Sequence, residues 1–213
     1  MQVVNKGVVE MKNNRIILVV LMALLTNKIL AQSYEIYTND EYGLPQCDAV
    51  IEYNDYSAEI YDTNEYGFKE LTPSQIIDFN DSQDKIEIYN TSPYGFKDIR
   101  PDKTIEYDGD TTNYYHTNKY GLQQKDAVAE YDDYNKNTKI YKTNEYGFKE
   151  LIPSQINEYD GNTTKVYKTN KYGFKEMNPS LIVEENSNGD VEIYEVNEYG
   201  FKNMRPSKVI KKK

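Results

Sequence analysis

The sequence predicts an all-β fold built from tandem β-hairpin repeats that form an antiparallel meander. Tyr-Gly pairs end at Gly43, Gly67, Gly95, Gly121, Gly147, Gly173 and Gly200, spaced 24 to 28 residues apart, which marks seven units. A turn-forming residue stands three places before each glycine, and no helical apolar period survives beyond Ala31.

The unit reads Ile/Val-Tyr-x-Thr-Asn-x-Tyr-Gly-Phe-Lys, three further residues, Pro-Ser-x-Ile-Ile-Glu-Tyr-Asp, and a polar turn; unit five, Lys139 to Asp160, shows it best. Asp40, Asn64, Ser92, Asn118, Asn144, Asn170 and Asn197 are the first residues of type I turns whose fourth residue is the glycine, and Pro93 takes the second place in unit three. A left-handed glycine then closes a hairpin with a bulge. Between these hairpins come turns of another kind, such as Asp108-Gly109-Asp110 and Asp160-Gly161-Asn162. With a turn at each end of every strand, the topology is an up-and-down meander of about fourteen strands, two per unit.

The proline of Pro73, Pro101, Pro153, Pro179 and Pro206 falls within the longer strand and cannot donate to a ladder, so a bend or bulge is expected there. Such kinks coil the sheet. The expected result is an open twisted or superhelical sheet, with a closed barrel as the alternative. Units one and four lack the Pro-Ser element and match each other, Tyr42 to Val50 against Tyr120 to Val128; unit two matches five and three matches six. A three-unit block was duplicated, which leaves the seventh unit as a C-terminal cap.

Ahead of the repeats, Lys12 and Arg15 precede an apolar run from Ile16 to Leu25 and a short polar stretch to Ala31. This is the layout of a signal peptide over 1–31, with Met11 as the expected start and 32–213 as the repeat domain. Ten apolar residues are about half of the ~20 needed to cross a bilayer, so no stable membrane anchor is expected. The protein is expected to be exported, whether periplasmic, at the cell surface or secreted.

The chain carries a net charge of −10, and residues 32–213 hold 34 acidic against 21 basic side chains, or −13. Nucleic acid is excluded as a partner on this field. Cys47 is the sole cysteine and His116 the sole histidine, too few for an internal disulfide, a zinc site, or a Cys-His or Ser-His-Asp constellation. Acidic turns such as Asp108-Gly109-Asp110 lack the spacing and closing Glu of a calcium loop and read as hairpin turns. No catalytic residue, cofactor site or metal site is assigned.

Tyrosine supplies 22 residues and tryptophan none. Ile140 and Tyr141 fall on opposite faces of one strand, which predicts an aliphatic face backed by tyrosines that pair across strands. Tyr66, Tyr94, Tyr120, Tyr146, Tyr172 and Tyr199, each directly before a unit glycine, are the candidate interaction surface.

The Tyr-Asp dipeptides followed by a polar turn, as in Tyr159-Asp160-Gly161-Asn162, resemble bacterial YD-type secreted hairpin repeats over the unit rhythm from about Gln32 to Ile210. The Thr-Asn-x-Tyr-Gly-Phe-Lys core has no counterpart there, and the resemblance implies hairpins and export without an activity. The function expected from these features is that of an exported, non-enzymatic structural or interaction protein of the bacterial envelope or exterior. Its partner is a protein or a glycan surface, the alternative being a glycan or cell-wall-binding module that uses its tyrosines. Self-association through exposed edge strands is a further expectation.

Overall fold

The structure is a computed structural model that describes residues 33–213 apart from Glu41, Asp81 and Gln83. The expected signal peptide lies outside the described residues. Fourteen strands follow one another: β1 Ser33–Asn39, β2 Pro45–Tyr53, β3 Ser57–Asp62, β4 Gln75–Phe79, β5 Lys85–Asn90, β6 Lys103–Asp108, β7 Thr111–Thr117, β8 Gln123–Asp132, β9 Asn137–Lys142, β10 Gln155–Asp160, β11 Thr163–Lys168, β12 Leu181–Glu185, β13 Val191–Glu195 and β14 Lys208–Lys212. Every neighbouring pair is antiparallel, as the meander predicts.

The ring closes. β14 pairs with β13 on one side and with β1 on the other, Tyr34 facing Lys212 and Ile36 facing Ile210, so the sheet is a barrel and not an open ribbon. Two consequences correct the expectations. The seventh unit joins the first and has no outward edge to cap, and among the described residues no strand edge is left for pairing between molecules. Because every strand is paired on both sides within 33–213, this stretch folds as a unit.

The inward face follows from the register. Ile51, Ile60, Ile77, Ile88, Ile105, Val166, Val183, Ile193 and Ile210 share it and are buried, with Ile77 fully sealed from solvent. Fourteen strands in a round barrel would span roughly 25–30 Å and leave a water channel. The inward side chains are instead sealed from solvent, as in a packed core. Near the mouth where β2 ends and β3 begins, the filling is aromatic. Tyr34 packs edge-on against Tyr53 at 5.7 Å, Tyr53 stacks on Phe79 at 6.3 Å, and Tyr131 meets Tyr159 at 6.2 Å between ring centroids.

The prolines stand ahead of the even strands and not inside them, since β4 begins at Gln75, two residues after Pro73. Glu70 N donates to Asp62 O and Ser74 N to Ile60 O, so residues 71–73 bulge out opposite Tyr61. Units one and four do without this bulge. Their even strands are the longest, at 9 and 10 residues, and absorb the same mismatch as register shifts at Ile36/Tyr37 and Tyr114/Tyr115.

Candidate docking crown

In a closed meander, all odd-to-even connections lie at one mouth, so the seven Tyr-Gly turns form a single crown. The local sequence builds each one. In unit five, Gly147 N donates to Asn144 O at 2.9 Å, and Asn144 Oδ1 accepts from Tyr146 N and Phe148 N at 3.0 and 3.1 Å. The asparagine thus satisfies the turn's own backbone donors. Asp40 makes the same pair of bonds, whereas Ser92 accepts only from Phe96 N.

In five of the seven units a threonine before the turn ties the unit to the preceding one. Thr91 Oγ1 donates to Pro73 O and Thr117 Oγ1 to Pro101 O, both at 2.5 Å. The glycines add close contact. A Cβ at Gly95 would meet Thr72 and Pro73 at 3.2–3.3 Å, and one at Gly43 would collide with Arg205, whose Nη1 donates to Tyr42 O across the seam. Both glycines also hold φ near +80° (79° and 77°).

The lysine after each Phe anchors the crown to the outer wall. Lys69 lies 4.1 Å from the Tyr61 ring and 2.6 Å from Glu52; Lys97, Lys175 and Lys202 repeat the arrangement on Tyr89 and Asp78, Tyr167 and Glu158, and Tyr194 and Glu184. Cation–π contact and ion pairing shield these strand tyrosines, which are buried. The hydroxyls of Tyr37, Tyr61 and Tyr194 donate to Glu35, Glu59 and Glu192, and those carboxylates, together with burial, push the phenol pKa values up to about 12.

The turn tyrosines behave otherwise. Tyr66, Tyr94, Tyr120, Tyr146, Tyr172 and Tyr199 are 67–81% exposed, as is Tyr42. They alternate with exposed Phe68, Phe96, Phe148, Phe174 and Phe201, or with Leu44 and Leu122 in the two units without the bulge. The crown also holds a set that the sequence reading did not single out. Leu71, Ile99, Leu151, Met177 and Met204 project from the bulges at 95–100% exposure. The signal was present, because an aliphatic residue stands two places before the proline in all five bulged units. With Ile152 the crown therefore displays twenty exposed apolar side chains, far beyond the apolar patch of an ordinary soluble monomer.

Its charge is nearly balanced. The seven crown linkers carry ten acidic and nine basic side chains, for a net charge of −1. The six short turns at the other mouth, each taken with the strand residue leading into it, carry ten acidic side chains against Lys136, for −9.

His116 Nδ1 lies 2.6 Å from Asp126 Oδ1 at the crown end of β7, and Cys47 is a half-buried free thiol below Gly67. Among the described residues, no three His, Cys, Asp or Glu side chains converge on a metal position. No known protein family matches the chain, and no curated protein matches it either.

Proposed function

We propose that this is a non-enzymatic docking protein of the bacterial envelope or exterior that holds its partner through the crown. The observation that carries the reading is the threefold apolar display of the bulged units: one tyrosine, one phenylalanine and one fully exposed aliphatic side chain each. Burying such groups on a partner is worth about 1.5–3 kcal/mol per side chain, whereas leaving them in water serves no need of the fold. Many equivalent weak contacts on one rigid ring add through avidity. Export rests on the sequence alone.

Binding of residues 32–213 to isolated cell envelopes tests the reading. Replacing Tyr146, Phe148, Leu151, Tyr172, Phe174 and Met177 by Ser is expected to cut the bound fraction at least tenfold, while Tyr56→Ser and Tyr134→Ser at the opposite mouth leave it unchanged. Equal losses in both variants would refute it.

A second reading, a glycan or cell-wall-binding module, draws on the exposed rings of the turn tyrosines, which recur every two strands at about 10 Å. Saturable polysaccharide binding that disappears in a Tyr146→Ala, Tyr172→Ala double variant would favour it.

A further inference from the structure

Resting on the docking reading, we infer that the crown seats on the surface of an electrically neutral lipid bilayer, with its aliphatic tips entering the interfacial layer and the barrel standing on that mouth.

The shape of the display selects the occupant. Leu71, Ile99, Leu151, Met177 and Met204 are single protruding tips, not the lining of a groove. Tips need depth to enter. They recur in five of the seven units around a closed ring, so the occupant must offer the same apolar depth at widely separated points. A bilayer is laterally uniform and does so. A sugar face stacks on tyrosine but has nothing for a leucine or methionine tip. A second copy would present tip against tip, with two bodies of −13 facing each other.

The neighbouring residues suit the interface as well. Tyrosine places its ring among acyl chains and its hydroxyl at the headgroups, which is where it concentrates at membrane surfaces. Lys119 and Lys171 lie over their own turn tyrosines at 5.0 and 4.9 Å, and their stems can follow the rings down while the ammonium stays in water. Charge is also distributed along the barrel axis, with −1 at the crown and, once Lys212 and Lys213 are added to the six turns, −7 at the far mouth. The repulsive charge is thus held away from the surface that the tips enter. The first and last barrel strands meet at the far mouth, where Lys213 N donates to Ser33 O.

The barrel does not span the bilayer in this arrangement. A spanning barrel needs an unbroken outward apolar band, and here the outer wall interleaves Val50, Ile76, Val128, Ile156, Ile182 and Val209 with the charged Lys-Tyr-Glu sets, which interrupt such a band. Contact is confined to the rim, and its strength comes from apolar area without help from anionic lipid.

Flotation of residues 32–213 with phosphatidylcholine vesicles tests this. The protein is expected to float with them, and the five-site variant L71S/I99S/L151S/M177S/M204S to lose at least tenfold in bound fraction; Y56S/Y134S should float like the parent. Because the five residues are exposed, the variant is expected to keep the parent's circular dichroism and melting curve. Adding phosphatidylglycerol to the vesicles is expected to weaken binding at low salt, with the difference closing as salt rises. A parent protein that stays at the bottom of the gradient overturns the bilayer assignment, and the docking reading then stands or falls on the envelope experiment alone. A concentration-dependent dimer in sedimentation that the same five substitutions abolish would assign the crown to a second copy. If those substitutions change neither flotation nor envelope binding, both readings are overturned.

Discussion

The two mouths of the barrel are closed by similar local chemistry and present opposite surfaces. At the acidic mouth, Asn186 Oδ1 accepts from Asn188 N and Asp190 N, much as Asn144 Oδ1 serves its own turn in the crown. The difference lies in what the turn leaves exposed. At the acidic mouth the aromatics Tyr53, Phe79, Tyr131 and Tyr159 lie on the inward face, and solvated carboxylates remain outside with only two exposed rings, Tyr56 and Tyr134, among them. At the crown the apolar residues turn out, while the strand tyrosines below them are covered by lysine. Sheet stability needs only the first pattern, and the second is free to serve a partner.

A substitution that separates packing from backbone conformation sharpens the contrast most. Gly95 and Gly109 both hold positive φ, but only Gly95 has a neighbouring unit against it. Gly95→Ala is expected to cost about 2 kcal/mol and Gly109→Ala about 1 kcal/mol, measured by chemical denaturation. Equal costs would show that the crown turns do not lean on one another.

Alkaline titration probes the covered tyrosines beneath the crown. An unfolded tyrosine ionises near 10, whereas Tyr37, Tyr61 and Tyr194 hold their protons to about 12. Between those values the folded state binds more protons, so their contribution to stability is complete below pH 10 and lost as the pH rises through 12. Ultraviolet titration is expected to show a late phenolate step that Glu59→Gln and Glu192→Gln move to lower pH. The smallest expected effect belongs to the acidic mouth. Asp110→Asn should raise stability by a few tenths of a kcal/mol at low salt and by less at high salt, because it relieves like-charge repulsion.

Much of this was legible in the sequence because hairpins are local. The Asn-to-Gly spacing specifies the turn, Ile140 beside Tyr141 specifies the two faces, and the missing Pro-Ser in units one and four corresponds to β2 and β8, which run longer with a bulge in the ladder. Closure was not legible. The pairing of Tyr34 with Lys212 depends on twist accumulated over fourteen strands, and no single motif carries that sum. The crown was half legible. Its tyrosines follow from their place beside glycine, but Leu71 and its counterparts occupy positions where an apolar residue reads as core until the bulge is seen to turn it outward.

Closure has a consequence for descent as well as for stability. A linear array lengthens by adding a unit at an end, but a ring has no end, and an eighth unit would have to be admitted by every wall at once. The seam between β14 and β1 is where the first and last strands of the ring meet. Arg205 reaches Tyr42 across it, and Arg100 crowds Gly121 in the same way between units three and four. In a closed ring the repeated units are held to a fixed number, and the spacing of the crown is set by that number.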